Sequence, residues 1–168
     1  METYPIPMVP GPTVVPDEIL QAYQNKYGSP DMESEFLDLY NQTEENLKQI
    51  MQTKNQVAIL TGEGMLALWS ALKSVIIPGD RVLALATGVF GYGVAEMAKS
   101  IGAQVKTVGF AYNETLHDWG MIEKAIIEFH PKMITFINCE TPSGTLNPLE
   151  RMSELKIKLQ IPLLYVDM

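Results

Sequence analysis

From residue 57 to the end of the chain, short apolar runs alternate with longer stretches of helical period, and this alternation restricts the fold more than any other feature. Val57–Leu60 is a short apolar run, read as a first strand. Met65–Ile76 places apolar residues at 65, 68, 69, 72, 75 and 76, the spacing of one helix face, before Pro78-Gly79-Asp80 breaks it. Arg81–Ala86 then reads as strand, Gly91–Ile101 as helix through Val94, Met97, Ala98 and Ile101, and Val105–Phe110 as strand. Asp118 is placed to cap a helix carrying Ile122, Ala125, Ile126 and Phe129, and Met133–Ile137 is strand-like again. Asn147-Pro148-Leu149-Glu150 has the form of a capping box with proline at the first helical position, and its helix runs to about Gln160. A last apolar run, Pro162–Val166, delivers Asp167.

Strands alternating with helices of this length predict an α/β fold, a three-layer sandwich with a mainly parallel sheet and helices on both faces. Ahead of it, residues 1–16 carry Pro5, Pro7, Pro10, Pro12 and Pro16, which forbid helix and favour extended backbone. We therefore expect an N-terminal arm over residues 1–30 and the sandwich over 31–168. From Pro30 to Lys54, Phe36, Tyr40, Leu47 and Met51 follow helical spacing, with Leu37, Leu39 and Ile50 beside them, so one amphipathic helix begins near Asp31. The chain stops one residue after Asp167, where a strand of such a sheet would lead into a ligand site, and is read as the N-terminal portion of a longer domain.

Composition narrows the chemistry. With 46% hydrophobic and 19% charged residues, 168 residues are enough for one sizeable core. No apolar run reaches the roughly 18 residues of a bilayer span, and the N-terminus lacks the layout of a signal peptide, so a soluble, cytoplasmic protein is expected. Cys139 is the single cysteine, which excludes an internal disulfide and gives no metal-ligand spacing. A net charge of −8 repels phosphate backbones, so no nucleic-acid partner is expected, and small-molecule chemistry becomes the default.

In parallel sheets ligands bind beyond the carboxyl ends of the strands, and the loops there are polar or glycine-rich in this chain. After the first strand comes Thr61-Gly62-Glu63-Gly64-Met65, after the second Thr87-Gly88-Val89-Phe90-Gly91, after the fourth Asn138-Cys139-Glu140-Thr141-Pro142-Ser143-Gly144, and after the fifth Asp167. Gly62 and Gly64 open a helix whose free N–H groups suit a phosphate, or they form a plain tight turn. The loop matches neither the nucleotide-binding loop that ends in Lys-Ser/Thr nor the three-glycine dinucleotide spacing. Phe90 offers a flat ring to a cofactor or covers the core; Thr141 and Ser143 offer hydroxyls or make a turn; Asp167 binds a ligand or caps a following helix. His117 and His130 read as loop histidines without a companion ligand or base.

Together, TGEGMLALWSAL, PGDRVLALATGVFGYG, ETPSGTLNPLE and LLYVD resemble, in order and spacing, the large domain of the class V aminotransferases of fold type I. The likeness is nearest to the alanine-glyoxylate and serine-pyruvate group, and PMVPGPTVVPDEIL resembles that group's N-terminal segment. The resemblance implies pyridoxal 5'-phosphate (PLP) as cofactor, with its phosphate at Glu63, Gly64 and Met65. Glu63 and Met65 depart from the small hydroxyl and His or Thr residues common there. It places Phe90 on the face of the pyridine ring, Thr141 beside the phenolic oxygen, and Asp167 on the pyridine nitrogen, which it keeps protonated. The Schiff-base lysine and the carboxylate-binding arginine of the family lie beyond residue 168. Lys73, Lys99 and Lys156 read as exposed helix positions, and Arg81 and Arg151 lie away from the site, so the catalytic set is expected to be absent and the 168 residues inactive alone.

The resemblance implies transfer of an amino group from a small amino acid to a 2-oxo acid such as glyoxylate or pyruvate, in a homodimer whose N-terminal arm reaches the partner. Two other readings stand beside it. Class V relatives also transaminate 2-aminoethylphosphonate or desulfurate cysteine, the latter with a mobile cysteine for which Cys139 is the one candidate and a small buried residue the plainer role. The third reading is a non-catalytic truncated module.

Overall fold

The computed structural model describes residues 10–29 and 31–168. Pro5, Pro7 and Pro30 of the expected arm lie outside the described residues. Residues 14–63 form one compact unit, and residues 64–168, together with 10–13, form another.

The 14–63 unit is helical. Pro16 stands at the N-cap of α1 (Asp17–Ala22), where its missing N–H costs nothing, and Asp17 and Glu18 face the positive end of the helix. α2 (Ser34–Ile50) fills most of the helix expected over 30–54, and Lys48 in its last turn pairs with Glu44 at 2.9 Å and Glu45 at 2.8 Å. No residue of α1 or α2 is buried. Val57–Leu60 is not a strand, against expectation. A strand exists only where a neighbour supplies the other half of its ladder, and the unit has no other strand among the described residues. The amide of Val57 bonds the Glu44 carboxylate instead, at 3.2 Å.

The 64–168 unit is the α/β sandwich that the alternation predicts. In chain order it comprises α3 (Gly64–Val75), β1 (Arg81–Ala86), α4 (Val89–Ser100), β2 (Gln104–Gly109), α5 (Trp119–Phe129), β3 (Met133–Ile137), a hairpin of β4 (Cys139–Glu140) and β5 (Thr145–Leu146), α6 (Leu149–Lys158) and β6 (Leu163–Asp167). β1, β2, β3 and β6 form one sheet in the order β2-β1-β3-β6, every pair parallel. The chain leaves β1 for β2 on one side and then returns to β3 on the other, which puts the reversal of strand order between β1 and β3.

Each face of the sheet has its own core, because side chains alternate along a strand. Val82, Met133 and Ile137 pack with Leu72 and Ile76 at the end of α3 and with Val94, Met97 and Ala98 of α4. Leu83, Leu85, Ile134 and Phe136 pack with Ile122 and Ile126 of α5 and Met152 and Leu155 of α6. All of β1 but Arg81, and all of β3, is buried, as a strand covered on both faces must be. These two strands are the rigid centre from which the loops project.

Helix boundaries follow local chemistry in part. Asp118 Oδ1 accepts the amide of Met121 at 2.8 Å, the cap expected of it. α5 ends at His130, held left-handed at φ 48°, so this histidine is a helix C-cap. α4 begins at Val89, two residues ahead of the expected Gly91, with Gly88 as N-cap. The capping box at Asn147 does not form: Pro148 occupies the N-cap of α6 and makes no side-chain cap. Asn147 turns inward, for reasons set by residues far away in the chain.

Candidate functional site

The residues singled out in the loops lie at the carboxyl edge of the sheet. β1 leads through Thr87 and Gly88 into α4 and sets Phe90, half-buried, in that helix's first turn. β3 hands over at Asn138 to the β4–β5 hairpin, whose turn carries Thr141, also half-buried. β6 ends at Asp167, which pairs in register with Ile137, and the Asp167 carbonyl accepts the Asn138 amide at 2.8 Å. Because β1, β3 and β6 are neighbours, Phe90, Thr141 and Asp167 share one edge beside the point where strand order reverses. Sheets of this kind bind ligands there.

Asp167 carries the distinctive electrostatics of this edge. Burial raises its carboxyl above the ordinary aspartate range, and no ion pair or hydrogen bond to that carboxyl offsets the effect among the described residues. Tyr165, two residues back on the same face, is raised as well, first by its own burial and then by the charge of Asp167. The Tyr165 hydroxyl donates to the Leu68 carbonyl at 3.3 Å, which ties β6 to the first turns of α3. Gly64 and Met65 open that helix. Met65 packs its side chain against the core shared by α3 and α4, leaving its backbone N–H as the group it can offer a ligand. Gly64 is exposed, and a Cβ there would meet nothing within 4 Å. Glu63 is the last residue of the 14–63 unit and is exposed.

Two residues that the sequence did not single out as site residues hold this edge together. Glu140 is completely buried, yet it pairs with no cation among the described residues. Its carboxylate accepts the amide of Gly91 at 2.8 Å and that of Phe90 at 3.2 Å. Asn147, 1% exposed, accepts the Leu116 amide at 2.8 Å and donates to the Ile137 carbonyl at 2.8 Å and to Thr87 Oγ1 at 2.9 Å. Asn138 returns the contact, its side chain donating to the Asn147 carbonyl at 2.8 Å. The available signal for Glu140 was a carboxylate three residues past a wholly buried strand, with glycines at 88 and 91 leaving room elsewhere. For Asn147 nothing local separates an asparagine that caps its own helix from one that faces the core.

The other candidates stand apart. Cys139 is half-buried and paired in register with Leu146, so it belongs to a strand and not to a mobile loop. Arg81 starts β1 at the opposite edge, and Arg151 lies over the Trp119 ring at 4.6 Å. Lys99 pairs with Glu96, Lys73 lies 5.4 Å from the Trp69 ring centroid, and Lys156 is half-buried where an exposed position was expected. Among the described residues no cluster of His, Cys, Asp and Glu could hold a metal ion, and no helix is long and apolar enough to cross a membrane.

Comparison with known proteins gives a consistent picture. The family model described as aminotransferase class V matches residues 9–168. A pyridoxamine–pyruvate transaminase of Mesorhizobium japonicum is 32% identical over 74% of this chain and 32% of its own length. An (S)-ureidoglycine–glyoxylate transaminase of Bacillus subtilis is 31% identical over 88% of this chain and 35% of its own length. Among solved structures, an alanine–glyoxylate aminotransferase from Nostoc sp. superposes with a TM-score of 0.86 at 26% identity, covering 99% of this chain and 45% of that one. The chain thus spans about a third of the length of these curated relatives, 32% and 35%.

Proposed function

The chain belongs to the class V aminotransferase family, and we propose that its 31–168 region holds PLP in an enzyme that moves an amino group from a small amino acid to a 2-oxo acid. Glyoxylate and pyruvate are the acceptors this reading favours, because the relatives' names pair transamination with one or the other. The observation that carries it is Asp167: a carboxylate raised by burial, without a partner among the described residues, at the carboxyl end of a parallel strand. Such a group gains most from a cation, and a pyridinium N–H is one.

The remaining residues fit the same group. Phe90 would lie on the face of the ring, and the Thr141 hydroxyl, which has no hydrogen-bond partner among the described residues, would donate to the phenolic oxygen. The N–H groups of Gly64 and Met65 would hold the phosphate, with Glu63 beside them and its side chain turned away from the dianion. When bound, PLP supplies an electron sink for the charge left on the substrate α-carbon as its proton departs. Asp167 keeps the ring nitrogen protonated, which is what makes the sink effective. The buried floor of β1 and β3 excludes water from below.

We further propose a cytoplasmic homodimer. The reading is supported by apolar residues in and beside α1 and α2 that lie open, with Ile19 53%, Tyr23 85% and Leu37 56% exposed, a surface suited to a partner subunit. The test is PLP titration of the natural gene product, followed by amino transfer from alanine or serine to glyoxylate or pyruvate. A saturable PLP absorbance change, weakened in Asp167→Asn, together with transfer is the expected result. A protein that takes up no PLP sinks the reading.

A further inference from the structure

α4 meets the candidate site with its N-terminus, yet its N-cap residue, Gly88, has no side chain with which to hold the free amides of the first turn. Glu140 does this from 50 and 49 residues away. Its two carboxylate oxygens take the amides of Phe90 and Gly91, the second and third positions of the helix. The fit is built from three sides. A Cβ on Gly88 would lie 2.7 Å from Glu140 Cδ, and one on Gly91 would lie 3.2 Å from Glu140 Oε1 and 2.8 Å from the Ala86 backbone. The carboxylate is fully buried and no cation pairs with it among the described residues, so the amides and the positive end of the helix are what balance its charge.

We propose that Glu140 is a positioning residue for the cofactor, acting through Phe90. By fixing the Phe90 backbone from below, it sets the height and tilt of the Phe90 ring over the crevice between β1 and β3. It also leads directly into Thr141, so one buried carboxylate registers the two side chains assigned to the ring and to its phenolic oxygen. The proposal rests on the PLP reading of the site. Glu140 touches neither cofactor nor substrate; its effect on binding passes through the aromatic ring.

Two measurements on the intact protein test it. Amide hydrogen exchange of the cofactor-free wild type reads the clamp directly: first-turn amides ordinarily exchange freely, whereas those of Phe90 and Gly91 are expected to be protected roughly 10- to 100-fold by charge-assisted bonds. A double-mutant cycle on the Kd for PLP, using Glu140→Gln and Phe90→Leu, reads the route. Glu140→Gln keeps the shape but sets an NH2 group against one amide, and is expected to weaken PLP about 10-fold beside Phe90 and less than about 2-fold beside Leu. Equal weakening in both backgrounds marks a merely structural role and overturns the proposal. So does wild-type exchange of both amides at the unprotected rate while PLP still binds, a result that needs no variant to fold. If the wild type binds no PLP, the cofactor reading itself falls and takes the proposal with it.

Discussion

The side-chain amide of Asn147 donates to Thr87 Oγ1 at 2.9 Å, joining the segment ahead of the α6 N-cap to the residue after β1 across 60 positions of sequence. Through the same side chain the loop ahead of α5 and the end of β3 are held as well, at Leu116 and Ile137. Four segments therefore reach the site edge in fixed register because of one buried amide group.

Asn147→Ala removes all three bonds and leaves the Leu116 N–H and the Ile137 carbonyl buried without partners. We expect a loss of roughly 2–4 kcal/mol in urea unfolding. Asn147→Asp keeps the acceptor for Leu116 but turns both donors into acceptors, and should be no milder. A change below about 0.5 kcal/mol for the alanine variant would mean that water replaces the network.

Two glycines of α4 should respond with opposite sign to the same substitution. A Cβ on Gly91 would lie 2.8 Å from the Ala86 Cα, a backbone atom that cannot step aside, whereas one on Gly93 meets nothing within 4 Å. Gly91→Ala is expected to destabilise by about 1–3 kcal/mol, as overpacking does. Gly93→Ala should stabilise by about 0.5–1 kcal/mol, because alanine loses less backbone freedom in a helix interior. Thermal unfolding of the pair is the check, and two shifts of the same sign would contradict the packing of α4 on β1.

His130 holds φ at 48° at the C-cap of α5, a conformation that crowds its Cβ against the carbonyl. The side chain is exposed, so little packing is lost on its removal. His130→Gly should raise stability by about 1 kcal/mol. An unchanged or lower unfolding midpoint would show that the imidazole makes a compensating contact.

Asp80 and Asp167 should give pH dependences of opposite sign. Asp80 is lowered, first by its hydrogen bond from Lys132 and then by the Ile77 amide. Its contribution is present above the ordinary carboxylate range and is lost as the pH falls through the depressed folded value. Asp167 is raised by burial, so the folded state binds its proton more tightly than the unfolded one. Stability then falls as the pH rises from the ordinary aspartate range through the raised folded value. Asp80→Asn should flatten the acid limb of the stability profile. Asp167→Asn should remove the loss on the higher-pH side, stabilise the cofactor-free protein at neutral pH, and weaken PLP by roughly 10- to 100-fold, the worth of a hydrogen bond to a charged group. A profile unchanged by Asp167→Asn would mean that the group titrates normally.

The sequence by itself determined the elements whose evidence is local. β1 and β3 have the predicted bounds, α5 starts where Asp118 caps it, and Asp167 closes β6, because apolar period and capping chemistry are read within a few residues. The loops at the strand ends were legible for the same reason: a parallel sheet must present its carboxyl edge somewhere, and those segments were the polar ones. Tertiary structure alone decided the rest. Val57–Leu60 has the composition of a strand but no neighbour within its unit, and a ladder cannot form with one side. Asn147 has the position of a cap but finds better partners 10, 31 and 60 residues away. Glu140 looked like one residue of a turn and became the cap of a helix 50 residues earlier, because only the folded sheet brings β3 beside β1 and leaves a glycine-lined space that a buried carboxylate fills.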